Sequence, residues 1–293
     1  APTAKDAARL RALIYDAATA RPFEELLKEW IPARIFASGT MPAYSNYGTA
    51  LAGYIVQRVS GVPFNEYMQA HVLGPLGMTS ATFEQPLPSD LQARMAKGYR
   101  TASTSERPFE IVGLAPAGAL STPASDVAKF MIAHLQQGRL GDVEILQPQT
   151  VTRMHSTPLT ILPRVDRMLL GFWEANYKGR RVIAHGGDTQ WFHSDLRLYI
   201  DDGVGMFVGF NSMGRGIAAI DTRIELFEEF ADRYLPMPGW SAGPGVDGHT
   251  AREHARLIAG HYLSSRRSES SFMSLINLAG GIDIVDYRVG TNG

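Results

Sequence analysis

Three short apolar runs followed by one long amphipathic stripe constrain the fold of this chain most strongly. Residues 181–184, 195–200 and 204–210 are apolar or alternate between apolar and polar, which predicts strands. Asp201-Asp202-Gly203 supplies a hairpin turn between the last two. A stripe at helical spacing follows, made of Ile217, Ile220, Ile224, Phe227, Phe230, Ala231 and Tyr234. Because such a helix can cover one face of an antiparallel sheet, the pattern predicts an α/β (α+β) domain.

Upstream of these strands the sequence predicts a mostly helical lobe. Apolar residues recur at helical spacing, and turn formers separate the stretches, which are 5–20, 22–30, 48–60, 63–73, 123–137 and 147–155. Thr122 is the predicted N-cap of the fifth stretch. The third stretch ends at Gly61, and its apolar residues predict a helix buried on most of its circumference; they are Ala50, Leu51, Tyr54, Ile55, Val56 and Val59.

Composition excludes several classes of function. With 293 residues and a net charge of −1, the chain has no electrostatic case for binding nucleic acid, and no basic run suggests a membrane surface. Zero cysteines exclude disulfides, thiolate metal sites and a cysteine nucleophile. The opening residues, Ala1-Pro2-Thr3-Ala4-Lys5, do not resemble a signal peptide, and no apolar run is long enough to span a bilayer.

The first candidate site is the triplet Tyr44-Ser45-Asn46, immediately before the third helical stretch. Side chains on such a turn are held by the scaffold and can still face a cleft. A tyrosine there can carry a proton, and an asparagine can both donate and accept hydrogen bonds. The alternative is an aromatic packing residue followed by a helix cap.

The second candidate site is His185-Gly186-Gly187, at the end of the first predicted strand. Small residues at a strand edge let a substrate backbone approach, and the histidine supplies a titratable donor. One alternative is a β-bulge with a solvent-facing histidine. A second is a metal site built from His185, Asp188 and His193, but their spacing does not match a known ligand pattern, so no metal is predicted.

Taken together, these two sites resemble the serine β-lactamase and penicillin-binding protein superfamily. The nearest branch is the class C β-lactamases with their esterase and D-aminopeptidase relatives. Further resemblance lies in Leu73-Gly74-Pro75-Leu76-Gly77-Met78-Thr79-Ser80 and in 116–122, so it covers most of residues 30–235. It implies an antiparallel sheet flanked by helices plus a helical lobe, with a cleft between them.

The resemblance also implies roles for three catalytic residues. Tyr44 matches the tyrosine that shuttles a proton during acylation and deacylation. Asn46 matches the asparagine that holds the substrate amide and the catalytic lysine. His185 stands where the family has Lys or His in a Lys/His-x-Gly triplet, hydrogen-bonds toward Tyr44 and orients the acyl substrate.

Three further residues are implied to bind substrate, with no cofactor. Gly187 keeps the strand open for the substrate, and the backbone N–H of Asp188 forms one half of the oxyanion hole. Trp191 is a candidate wall of the acyl pocket. The expected partner is a small-molecule or peptide substrate, and the resemblance implies a periplasmic or extracellular setting.

The chain departs from the family at the nucleophile, which is the serine of a Ser-x-x-Lys motif. No lysine has a serine three positions earlier: Lys5, Lys28, Lys97, Lys129 and Lys178 follow Pro2, Glu25, Arg94, Asp126 and Ala175. We therefore expect a fragment that lacks its N-terminal strands and nucleophile helix, with the missing segment or another chain completing the site. The alternative is a homologue that naturally lacks the nucleophile.

These inferences define the expected domains and activity. Residues 1–235 form the hydrolase-like domain, 236–250 a linker, and 251–293 the start of a truncated C-terminal β-rich domain. The intact protein would form an acyl-enzyme with an ester, an amide or a β-lactam, while this chain alone would be inactive. Histidine at position 185 favours an esterase or peptidase, since it is mostly neutral at pH 7. The alternative function is a non-catalytic module that binds peptidoglycan or a protein partner.

Overall fold

A computed structural model describes most of the chain. The described residues are 22–29, 31–101, 104–157, 159–161, 165–216, 218–237, 239–241, 243, 245–265 and 282–284. The helix predicted at 5–20 lies outside them. None of the helices within these ranges is long and apolar enough to cross a membrane.

The first half of the described chain is the predicted helical lobe. Its helices are α1 (Phe23–Glu29), α2 (Asn46–Ser60), α3 (Phe64–Met68, continuing as a π-helical turn Gln69–Leu73), α4 (Ser89–Gln92), α5 (Ala124–Leu135) and α6 (Pro148–Met154). A 3₁₀ turn spans Ala115–Ala117. Short two-residue strands form two small antiparallel pairs: β1 (Gly98–Tyr99) with β2 (Glu106–Arg107), and β3 (Arg139–Leu140) with β4 (Val143–Glu144). We call the segment 79–112, which carries α4 and the β1–β2 pair, the flap.

The second half builds one four-stranded antiparallel sheet. Its strands are β5 (Trp173–Glu174), β6 (Val182–Asp188), β7 (His193–Tyr199) and β8 (Val204–Phe210), in the order β5-β6-β7-β8. Helix α7 (Ala218–Tyr234) follows. The three predicted strands and the long helix are confirmed, but the first strand continues past its predicted end at Ala184 to Asp188. The two residues of β5 are too few to show a strand pattern in the sequence.

Each face of the sheet is covered by a different helix. Ile183, Leu196 and Leu198 pack against α5 through a cluster that includes Val127 and Met131. On the opposite face, Val182 and Tyr199 pack with Ala231 of α7. The two faces follow from strand geometry, since successive side chains of β6 and β7 point to opposite sides.

Helix α2 begins and ends at well-formed caps. The Ser45 hydroxyl accepts a hydrogen bond from the Gly48 N–H at 3.0 Å, so Ser45 rather than Asn46 is the N-cap. At the other end Gly61 adopts φ 72°, a left-handed conformation that glycine tolerates without strain. A Cβ atom added at Gly53 would clash with the Pro116 ring, so the helix meets the 3₁₀ turn at close range.

The prediction that α2 is buried around most of its circumference is wrong. Leu51, Ile55 and Val59 are 37%, 53% and 84% exposed. Among the described residues, the helix is covered by Leu26 and Leu27 of α1, by the 3₁₀ turn and by α3. Apolar periodicity locates a stripe on a helix but does not reveal how many neighbours cover it.

Two smaller predictions also need correction. Helix α5 begins at Ala124 with Pro123 as its N-cap, because the Thr122 hydroxyl donates to the Pro123 carbonyl at 3.3 Å and does not cap the helix. The stripe of α7 is only partly covered: Phe227 and Ala231 are buried, whereas Ile224 is 40% exposed and Tyr234 is 62% exposed.

The C-terminal part contains helix α8 (Gly248–Ile258) and strand β9 (Gly260–Tyr262), which pairs antiparallel with β10 (Ile282–Ile284). Helix α8 begins inside the expected linker 236–250. The division into domains stays a prediction.

A buried histidine pair lies at the junction of α5, α6 and the sheet. His134 and His155 are 1% and 5% exposed, and His134 Nδ1 lies 3.1 Å from His155 Nε2. Phe172 contacts both rings edge-on. Burial lowers the pKa of each histidine to about 4, helped by the neighbouring His155 for His134 and by the Arg181 charge for His155.

This pair predicts a loss of stability in mild acid. In the unfolded chain both imidazoles bind protons below pH 6.5, whereas the folded pair resists protonation until about pH 4. Stability should therefore be complete above pH 6.5 and fall as pH drops toward 4, by up to about 3 kcal/mol for each histidine. Urea unfolding at pH 7 and pH 5 measures this change. The double variant His134→Leu/His155→Leu should lose less between the two pH values, and an equal loss in both proteins would contradict the assignment.

Candidate active site

The side chains of Tyr44 and His185 meet although 140 residues separate them in the chain. Their ring centroids are 6.0 Å apart, with an angle of 50° between the planes. Tyr44 immediately precedes the N-cap of α2, and His185 lies at the centre of β6. Both residues are half-buried, so each is held by the scaffold and remains accessible.

A second aromatic ring packs on His185. The Trp173 ring lies 4.8 Å from the imidazole, at an angle of 37°. Burial lowers the pKa of His185 below its ordinary value, and only a hydrogen bond with the Gly186 backbone acts in the opposite direction. The imidazole is therefore mostly neutral at pH 7.

The end of β6 presents backbone N–H groups at an open edge. The Ile200 N–H donates to the Arg181 carbonyl on the β7 side, and the Ala175 N–H donates to the Val182 carbonyl on the β5 side. Because the direction alternates along an antiparallel strand, the N–H groups of Gly186 and Asp188 point away from β7. In the part of the chain that the structure describes, β5 pairs with β6 only as far as Ala184.

A side chain at either glycine of β6 would meet close neighbours in β7. Gly187 lies opposite Ser194 in β7, and a Cβ atom added at Gly187 would lie 3.2 Å from the Ser194 hydroxyl oxygen. A Cβ atom added at Gly186 would lie 3.3 Å from the Ser194 carbonyl oxygen and 3.8 Å from the Trp173 ring. The two glycines thus keep the strand end narrow beside His185.

The carboxylate of Asp188 anchors this strand end to α7. Arg223 donates from its two terminal nitrogens to the two carboxylate oxygens, each at 3.0 Å, and His193 Nδ1 lies 2.9 Å from one of them. Burial opposes ionisation of Asp188, but these hydrogen bonds outweigh it and hold the pKa of Asp188 below its usual value. Sequence reasoning missed Arg223, because nothing in the sequence of α7 indicates which residue meets a strand 35 positions earlier.

A buried glutamate holds the turn that follows β6. The Glu110 carboxylate accepts hydrogen bonds from the Gln190 N–H at 2.7 Å, the Trp191 N–H at 3.1 Å and the Thr189 hydroxyl. Glu110 is only 8% exposed. It belongs to the flap, where the sequence gives no periodic pattern, and sequence reasoning missed it as well.

Trp191 and Asn46 occupy positions consistent with supporting the site. Trp191 is half-buried on the turn between β6 and β7, where its ring contacts the flap strands: the Arg107 guanidinium lies 5.4 Å from the ring centroid. Asn46 is the first residue of α2 and is half-buried, two residues after Tyr44. Their assignment as an acyl-pocket wall and an amide-binding residue remains a prediction.

The metal alternative does not fit the observed geometry. His185 shares the sheet face of Ile183, toward α5, whereas Asp188 and His193 lie on the face covered by α7. The three side chains that a metal site would recruit therefore point to opposite sides of the sheet.

A cavity of about 480 Å³ opens on the same face of the sheet as His185. It lies between the flap, the loop before α5 and the ends of β7 and β8. Its lining is mainly apolar and includes Leu87, Phe109, Val112, Leu120, Phe207 and the hydroxyl-bearing Ser194.

Proteins of known sequence place these observations in a family. The sequence model of the Beta-lactamase family matches residues 5–228. A β-lactamase of Pseudomonas fluorescens is 28% identical over 166 residues, covering 56% of this chain and 43% of the relative. A putative D-alanyl-D-alanine carboxypeptidase of Escherichia coli is 26% identical over 137 residues, covering 40% of this chain and 32% of the relative. The chain thus spans less than half the length of these relatives.

A solved structure supports the fold independently. A class C β-lactamase superposes with a TM-score of 0.60 and 19% sequence identity, covering 76% of this chain and 66% of that protein. At this identity the similarity shows the fold alone, a mixed arrangement of helices and an antiparallel sheet of the β-lactamase and transpeptidase type. Since the family match extends over most of the chain and the fold agrees with it, this chain belongs to the Beta-lactamase family of serine hydrolases.

Proposed function

We propose that this chain carries most of the active site of a serine hydrolase that forms an acyl-enzyme with an ester or an amide. The observation that carries the proposal is the approach of the Tyr44 and His185 rings to 6.0 Å at one end of β6. A phenol beside a neutral imidazole can pass a proton to and from a reacting hydroxyl. Whether a β-lactam is also a substrate is decided by the comparison of ester and cephalosporin hydrolysis described below.

The strand end beside these rings would stabilise the acyl transition state. We assign one oxyanion-hole donor to the backbone N–H of Asp188, because it points to the open edge of β6. Arg223 and Glu110 hold the strand end and the following turn from two directions, which keeps such a donor fixed. Asn46, Gly187 and Trp191 complete the proposed substrate site.

The neutral state of His185 argues for an esterase or peptidase. A lysine at this position would be a permanent cation suited to the carboxylate of a β-lactam. Burial instead favours the uncharged imidazole here. A periplasmic or extracellular setting is part of the same proposal.

The nucleophile is proposed to come from a segment outside these 293 residues or from another chain. No Ser-x-x-Lys occurs in the sequence. The apolar cavity on the His185 face of the sheet offers the space that such a segment would fill. The rival function, a non-catalytic binding module, draws its support from the same missing motif.

The first prediction concerns this polypeptide alone. Without the nucleophile, it should form no covalent adduct with a fluorescent penicillin or a fluorophosphonate, because Tyr44 and His185 only assist an attacking serine. Intact mass spectrometry after incubation measures adduct formation. Stoichiometric labelling would identify a different serine as the nucleophile and would overturn the assignment of roles.

The second prediction concerns a longer natural protein that contains this chain. If it carries a Ser-x-x-Lys motif, Tyr44→Phe should lower kcat/KM for a p-nitrophenyl ester by roughly 10²–10⁴-fold, since the proton carrier is lost. Tyr47→Phe is the matched control, because Tyr47 packs in the cluster between α1 and α2. Equal activity of the two variants would contradict the role of Tyr44. Absence of the motif and of ester hydrolysis would instead support the binding module.

The third prediction concerns substrate preference in the same longer protein. The wild type should hydrolyse short esters faster than β-lactams. His185→Lys should raise the ratio of β-lactam to ester hydrolysis, because it introduces a cation that can bind the carboxylate of a β-lactam. In the wild type, burial lowers the pKa of His185 and favours the neutral imidazole at this position. The kcat/KM values for a p-nitrophenyl ester and a chromogenic cephalosporin measure this ratio. A wild type that strongly prefers the cephalosporin would refute the esterase assignment.

A further inference from the structure

Trp173 lies at the point where the pairing of β5 with β6 ends. It is the first residue of β5 and lies opposite Ala184, the last residue of β6 in that pairing. A Cβ atom added at Gly186 would lie 3.8 Å from the six-membered ring of the indole. The indole therefore lies along β6 from residue 184 to residue 186, and its centroid is 4.8 Å from that of the His185 imidazole.

The two neighbours of Trp173 in the chain are both anchored. Phe172 is 4% exposed and packs in the cluster between α5 and the sheet. The Glu174 carboxylate accepts hydrogen bonds from the Arg167 guanidinium at 2.8 and 2.5 Å. The Glu174 N–H also donates to the Arg167 carbonyl at 2.9 Å. Because residues on both sides are fixed, the indole between them is held against His185.

We propose that Trp173 is a positioning residue, which holds the His185 imidazole beside Tyr44 and shields it from water. The planes of the indole and the imidazole meet at 37°, so the two rings are closer to stacked than to edge-on. An indole carries a donor N–H but no acceptor oxygen or nitrogen. Trp173 therefore excludes water from the imidazole without replacing the hydrogen bonds that water gives to an imidazolium.

The sheet and α5 surround His185 with uncharged groups. Leu196 lies opposite it in β7, and Val127 and Met131 of α5 belong to the cluster on the same face of the sheet. The titratable group that faces it from the turn before α2 is Tyr44, at 6.0 Å between ring centroids. A phenol is neutral at pH 7 and does not compensate an imidazolium charge.

The carboxylates of β5 and of the end of β6 are bound to arginines. Glu174 pairs with Arg167, and Asp188 pairs with Arg223. Their charges are thus already compensated by other groups. Burial is the largest influence on the pKa of His185 and lowers it.

The indole can act on the imidazolium in two opposite ways. Its π electrons attract a cation, which would raise the pKa of His185. Its exclusion of water disfavours the charged form, which lowers that pKa. The proposal requires that exclusion of water outweighs the attraction. Removal of the ring must then raise the pKa, so the sign of the change distinguishes the two effects.

An NMR titration of the 293-residue chain, labelled with ¹³C at the ε1 position of histidine, tests the proposal. The His185 resonance is assigned by its loss in His185→Gln. We expect a wild-type pKa below 6.5 and an upward shift toward 6.5 in Trp173→Ala, because water regains access to the imidazolium. Trp173→Phe should keep most of the lowering, since an aromatic ring still covers the imidazole.

The matched control is Trp240→Ala, which should leave the pKa of His185 unchanged. Trp240 contacts Gly179 and lies 5.9 Å from the Lys178 ammonium group. An equal upward shift in this control would contradict a specific role of Trp173. An unchanged or lower pKa in Trp173→Ala, in protein with wild-type circular dichroism, would overturn the proposal. A wild-type pKa of His185 at or above 6.5 would also overturn it, and this measurement needs no folded variant at position 173.

The consequence for catalysis rests on the proposed function. In a longer natural protein that hydrolyses a p-nitrophenyl ester, the acidic limb of the kcat/KM profile should move to higher pH in Trp173→Ala. The shift should equal the one measured by NMR, because a protonated His185 cannot accept a proton. An NMR shift without a shift of the limb would support the shielding by Trp173 and contradict the catalytic role of His185. The two proposals therefore fail by different results.

Discussion

The pairing of β6 with β7 is the interaction on which the rest of the structure depends. Seven consecutive residue pairs, from Val182 with Tyr199 to Asp188 with His193, fix the register of the two strands. Because of this register, the two faces and the open edge of β6 carry different functional groups. Ile183 and His185 face α5, Asp188 faces α7, and the N–H of Asp188 points to the edge. A slip of one residue would exchange the faces and place the imidazole against α7.

The strand end is held by groups from distant parts of the chain. Arg223 of α7 donates hydrogen bonds to the Asp188 carboxylate. Glu110 of the flap accepts hydrogen bonds from N–H groups of the turn that follows β6. Both anchors are charged groups with little exposure, and their hydrogen bonds compensate for the cost of burial. The end of β6 is therefore held in place by contacts with α7 and with the flap. From the opposite side of the site, α2 and the turn before it contribute Asn46 and Tyr44.

Sequence reasoning located what local patterns encode. The alternation of β7 and β8 and the Asp-Asp-Gly turn are set by neighbouring residues, so the sheet could be predicted from them. The meeting of Tyr44 and His185 could be anticipated only from resemblance to a family. Arg223 and Glu110 escaped prediction because their partners are distant in sequence and ordinary in type. The exposure of Ile55 escaped it because periodicity describes a helix and not its neighbours.

The contact between Gly53 and Pro116 has a consequence for how the site tolerates change. Helix α2 rests on the 3₁₀ turn at a point with no room for even a methyl group. Substitution there would tilt the whole helix, and its N-terminal end carries Tyr44 toward or away from His185. A substitution at position 53 would therefore change the position of the Tyr44 phenol relative to His185. We expect related proteins to keep a glycine at this position even where the surface residues around it differ.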